Sequence, residues 1–94
     1  MSDKYESLLI NLDKNITLTQ DLYLDFKRNM ILEFAARVNS PRYEYSQEHF
    51  NKIFKVYAEY ENYITEHNLV NGEVDCAFSV IKKAYEERLS NGQF

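Results

Sequence analysis

Apolar residues recur three and four positions apart along most of the chain, the spacing of one face of an α-helix. Tyr5, Leu8, Leu9 and Leu12 set the first such stretch, and Ser2 is placed to cap it, predicting a helix over 3–15. Asn15-Ile16-Thr17 reads as a short break. Thr17 and Gln20 then stand at capping-box spacing, so a second helix is expected over 18–38. That helix carries Leu22, Tyr23, Leu24, Phe26, Met30, Ile31, Phe34, Ala35 and Val38, which cover more than half its circumference. A helix apolar over so wide an arc packs on more than one side, so it is expected at the centre of the fold. Asn39-Ser40-Pro41 ends it, because proline disfavours helix at the residue before it.

Arg42-Tyr43-Glu44-Tyr45 follows as an extended linker. Ser46 caps a third helix over 46–67, with Phe50, Ile53, Phe54, Tyr57, Tyr60 and Ile64 in one stripe and Val56 and Tyr63 on its flank. Asn68 is placed for a left-handed cap at its end. Asn71 is placed to cap a fourth helix over 72–90, built on Val74, Ala77, Phe78, Ile81, Ala84, Tyr85 and Leu89 and closed by Ser90-Asn91-Gly92. The short connection between the last two predicts an antiparallel helical hairpin. No strand pattern, repeat or low-complexity segment appears. The expected fold is all-α: one domain over 1–94, a small bundle of about four helices ending in that hairpin.

Composition sharpens this. A chain of 94 residues buries only about 60–65% of its unfolded surface, and a single cysteine allows no intrachain disulfide. A homo-oligomer is therefore expected, in a reducing cytoplasm or a virion. No apolar run approaches the roughly 18–20 residues of a membrane span, and the charged start lacks a signal-peptide core. The net charge of −4 falls entirely on residues 44–94, where nine acids face five bases. No Lys/Arg cluster suits a phosphate backbone, so nucleic acid is not an expected partner. The excess of Phe, Tyr, Met, Ile, Asn and Lys over Gly, Ala, Arg and Pro points to an AT-rich genome.

Candidate chemistry is sparse. Setting Gly72 at the sixth position of a calcium loop puts His67, Leu69 and Phe78 where oxygen ligands are required. His49 and His67 lack a second ligand at metal spacing and read as exposed or capping residues. Cys76 lies off the main stripe of its helix, beside Val80, and has no base at hand for nucleophilic work. No glycine-rich phosphate loop or nucleophile elbow is present, so no enzyme, metal or cofactor is expected. Five tyrosines between 43 and 63 carry the remaining signal, since tyrosine suits surfaces that are apolar at one end and wet at the other. Tyr57 and Tyr60 fall in the hairpin's own stripe. The interface candidates are Tyr43, Tyr45, Val56, Tyr60, Tyr63, Cys76 and Val80.

The pattern Tyr57-x-x-Tyr60-x-x-Tyr63, then Asn71-Gly72, then a helix ending near Ile81 and Tyr85, resembles small uncharacterised proteins of phages and prophages of low-GC Gram-positive bacteria. Many of those carry a Gly-Gly-Asn-Gly turn, where this chain has Leu69-Val70-Asn71-Gly72. The resemblance covers about 30 residues and carries no catalytic residue across. It implies a non-enzymatic protein that oligomerises or docks on a virion or host protein. Bacteriocin immunity proteins are similar in architecture only, as small cytoplasmic helical bundles. A small DNA-binding regulator is the remaining alternative.

Overall fold

The computed structural model describes residues 2–70 and 73–94, with side chains from Thr19 onward. It contains three helices and, among the described residues, no strand: α1 (Ser2–Arg37), α2 (Gln47–Glu66) and α3 (Glu73–Ser90). The all-α expectation stands at that level, but the count of four helices does not. The two helices expected over 3–15 and 18–38 are one, running through Asn15, Ile16 and Thr17 without interruption.

The reason is energetic. Asn, Ile and Thr are mediocre helix formers, each costing a few tenths of a kcal/mol relative to alanine, about half the cost of a glycine. None removes a backbone donor, as proline does. Starting a second helix would incur a new nucleation cost, which exceeds the cost of propagating through three weak positions. Pro41 marks the other case: α1 stops at Arg37, and turns follow at 38–39 and 41–42.

The C-terminal half of α1, α2 and α3 enclose the core. Ile31, Phe34 and Val38 come from α1; Phe50, Ile53, Val56, Tyr60 and Ile64 from α2; and Val74, Ile81 and Ala84 from α3. Helix α2 serves both neighbours with the two edges of its apolar arc. On one edge Phe54 and Tyr57 meet Phe78 and Tyr85 of α3, and the Tyr57 and Phe78 rings stack at 3.7 Å. On the other, Tyr63 meets Tyr23 of α1, and Glu59 pairs with Lys27. Gln47 reaches Tyr85 while Tyr57 reaches Asp75, so α2 and α3 run antiparallel, as the short connection predicts.

Both long-range turns use expected residues. Asn68 adopts φ +52°, with its own amide on the Thr65 carbonyl and the Leu69 amide on the Ile64 carbonyl. Gly92, at φ +65°, does the same for α3, with bonds to the carbonyls of Leu89 and Arg88. These are paired closures of a helix end through one left-handed residue. The expected Asn71 cap lies outside the described residues.

At 1.5 Å per residue, the 36 residues of α1 extend about 54 Å, against about 30 Å for the 20 of α2. Tyr23 already faces Tyr63, in the last turn of α2. The stretch of α1 before Tyr23 therefore runs on past the end of α2, and the molecule is 68 Å long and 25 × 17 Å across.

Candidate functional site

The tyrosine cluster divides once α1 is in place. Tyr60 is 3% exposed and Val56 8%, so both belong to the core and neither offers a free surface. Val56 lies one turn before Glu59, on the edge of α2 that α1 covers. Its place on the flank of the stripe marks a second contact, within the chain. Tyr45 is half-buried, its ring stacked on Phe34 at 4.3 Å. Tyr63 is half-buried too, between Tyr23 at 5.8 Å and His67 at 4.1 Å. Tyr43 is exposed, beside Arg37 and near-parallel to Tyr45. Cys76 and Val80 are exposed on α3.

One polar tip among the rings of α2 is tied across to α3. The Tyr57 hydroxyl donates to Asp75 at 2.9 Å, and burial followed by that carboxylate pushes its pKa well above the ordinary tyrosine value. Burial likewise raises Tyr60. The two histidines serve helix ends. His49 Nδ1 accepts from the Ser46 amide at 2.9 Å, taking the place a glutamate fills in a capping box. His67 Nδ1 donates to the Tyr63 carbonyl at 2.9 Å, in the last turn of α2. Among the described residues no group of three His, Cys, Asp or Glu side chains could hold a metal ion. Nor is any helix there long and apolar enough to cross a membrane.

Two features were not foreseen from the sequence. The first is Arg88, in the last turn of α3. Its guanidinium donates to the Val38 carbonyl at 2.7 Å and to the Tyr45 carbonyl at 3.4 Å, and lies 5.1 Å from the Phe50 ring centre. It satisfies a carbonyl at the end of α1 and fastens the linker to α3. Phe94 folds back over the same region, 5.5 Å from both Phe50 and Tyr85. A groove of about 610 Å³ opens beside this clamp, but its guanidinium already has two partners within the chain.

The second is on α1. Leu22 is 68% exposed and Phe26 66%, with Tyr23 beside them, in a shallow hollow completed by Thr19, Asp25 and Asn29. By helical phase this row lies about two-fifths of a turn from the face that carries Ile31 and Val38. The hairpin grips one side of α1 and leaves this one in water. The wide apolar arc of residues 18–38 was legible in the sequence; which half of it would be covered was not.

At the inner margin of the hollow, Lys27 pairs with Glu59 and sits 4.6 Å from the centre of the Tyr23 ring. Burial opposes the lysine's charge, but hydrogen bonds to Glu59 and Tyr23 outweigh it and raise its pKa. The same bond lowers Glu59. The pair closes the α1–α2 seam just where the exposed row begins. No family model, curated protein or solved structure matches the chain.

Proposed function

We propose that this chain is a non-enzymatic protein-binding module, and that it docks through the exposed row on α1 instead of through the tyrosines of α2. The observation that carries the reading is Leu22 and Phe26, two large apolar side chains about two-thirds exposed and one turn apart. Single exposed apolar residues are ordinary, whereas a contiguous row with a polar margin marks an interaction surface. Asp25 and Asn29 supply that margin, and Tyr23 an aromatic edge. Anchors of this kind, inside a polar rim, are how protein interfaces concentrate their binding energy.

The biological setting rests on the tyrosine and Asn-Gly pattern that resembles phage and prophage proteins. On that resemblance the partner would be a virion or host protein, met in the host cytoplasm or the virion. The test is a photo-reactive phenylalanine analogue at position 26 of the full chain, irradiated in a lysate of the source organism. The expected result is a discrete protein adduct, a second copy of this chain included, which Leu22→Asp suppresses. Irradiation that yields no protein adduct would overturn the reading.

A further inference from the structure

Beyond protein docking, and away from the α1 row, we propose that the groove between the 39–45 linker and the end of α3 binds a small monocarboxylic acid with an apolar body, its carboxylate held by Arg88. Arg88 is a half-buried cation answered only by neutral groups. Its guanidinium donates to the carbonyls of Val38 and Tyr45 and lies over the Phe50 ring. Among the described residues the ion pairs are Lys27–Glu59, Arg28–Asp25 and Arg37–Glu33, so no carboxylate reaches it. Taking a cation partly out of water costs free energy that carbonyl dipoles offset only in part.

Two carbonyls do not exhaust a guanidinium. One N–H on each of Nε, Nη1 and Nη2 is left over. The bond to the Tyr45 carbonyl, at 3.4 Å, is longer than the usual N–H···O range of about 2.7–3.2 Å. It is the one that a stronger acceptor can displace. A planar fork of such donors matches the two oxygens of a carboxylate.

The groove supplies the rest of the site. Its volume of about 610 Å³ falls within the roughly 300–1,000 Å³ of small-molecule sites. Pro41, Tyr43 and Tyr45 wall it from the linker, and Phe94 from the chain beyond α3. The left-handed turn at Gly92 precedes Phe94, whose ring is set against Phe50 and Tyr85. Ser40 adds a hydroxyl whose oxygen accepts from the Arg42 amide at 3.3 Å, leaving its proton to donate. Three aromatic rings and one forked cation in a single groove fit a flat apolar acid. One acidic side chain narrows the ligand further. Glu44 lines the same groove and is exposed. A doubly charged phosphate or a dicarboxylate would meet that like charge. A monocarboxylate can turn its single charge to Arg88 and its apolar body to the rings.

The test is a titration of the isotope-labelled full chain with phenylacetate at neutral pH, followed by backbone amide shifts. Saturating shifts are expected at Ser40, Tyr43, Tyr45 and Arg88, with a dissociation constant of about 1 mM. Phenylacetamide, nearly the same shape without the charge, should bind at least about 10-fold more weakly, and inorganic phosphate should not saturate. Arg88→Lys keeps the charge but loses the fork, and should weaken phenylacetate about 10-fold. Because Arg88 also fastens the linker, two variants that leave its bonds in place carry the same test. Tyr43→Ala, at an exposed wall, should weaken binding about threefold. Glu44→Gln should tighten it about threefold. Equal binding of the acid and the amide would reduce the groove to an apolar dent and overturn the inference. So would no saturable shift, shifts confined to other parts of the chain, tighter binding of phosphate than of phenylacetate, or an affinity unmoved by both Tyr43→Ala and Glu44→Gln. None of these outcomes bears on the α1 row, which cross-linking at position 26 tests by itself.

Discussion

The two halves of α1 are built from similar residues and meet opposite fates. Ile31, Phe34 and Val38 are buried, while Leu22 and Phe26, a few residues earlier on the same helix, stand in water. Helix propensity cannot account for the difference, and neither can hydrophobicity. What differs is whether another helix reaches them. Helix α2 meets α1 at Tyr23 and Lys27, on either side of Phe26 in sequence, yet Leu22 and Phe26 lie on another side of the helix and stay uncovered. Periodicity thus specifies a helix and its apolar arc; which side of that arc the neighbouring helices grip decides how much of it is core.

The comparison can be broken most severely in the covered half. Phe50→Ala removes a fully buried ring that contacts Phe34, Phe54, Tyr85 and Phe94, and should cost about 3–5 kcal/mol in denaturant unfolding. A loss below about 1 kcal/mol would mean that the core is not organised around it. Arg88→Met keeps most of the aliphatic stem but removes the donors to Val38 and Tyr45, and is expected to cost about 2 kcal/mol. Comparison with Arg88→Lys separates charge from the forked geometry, and the lysine variant should recover only part of the loss.

A smaller effect marks the boundary between the halves. The Lys27–Glu59 pair lowers Glu59 and raises Lys27. The glutamate's contribution is present above its ordinary value of 4.5 and is lost as pH falls through the lowered one. The lysine's is present below 10.5 and is lost as pH rises through the raised one. Glu59→Gln should therefore be less stable than the parent across the neutral range, and the two unfolding curves should converge in acid. A gap that stays constant with pH would assign the loss to something other than the ion pair. The least effect is expected in the uncovered half: Phe26→Ser should change monomer stability by no more than about 0.5 kcal/mol, measured below any association threshold. A loss comparable to that of Phe50→Ala would place Phe26 in a core and erase the contrast.

Much of the body was legible. Helix ends follow local chemistry, so Ser46, Asn68 and Gly92 mark boundaries within two residues of where they fall, and Pro41 follows the end of α1 by four. The 50-53-57-60-64 spacing identifies the face that α2 turns inward. The rest depended on non-local facts. Asn15-Ile16-Thr17 resembles a break because its residues favour caps and turns, yet whether weak positions interrupt a helix depends on what lies either side. Val56 resembled an outer contact because a single helix cannot announce that a second neighbour covers its flank. The targets of Arg88 lie 43 and 50 residues away in sequence, beyond any helical spacing. Of the seven interface candidates, Val56 and Tyr60 lie in the core, and the wide arc of residues 18–38, too broad for a small bundle to cover, does not by itself say that Leu22 and Phe26 are the part left out.

Tyr57, stacked on Phe78 and bonded to Asp75, has one more consequence, an optical one. The chain has eight tyrosines and no tryptophan, so its near-ultraviolet absorbance is tyrosine absorbance. The informative experiment is an alkaline titration. Tyr57 and Tyr60, both raised above 10.0, should keep their protons until the hairpin opens. Their neutral forms favour the folded state in full below 10.0, and that preference is lost as pH climbs toward their raised values. A late, steep rise in phenolate absorbance, coincident with loss of helical signal, would let the hairpin report its own opening without an added probe.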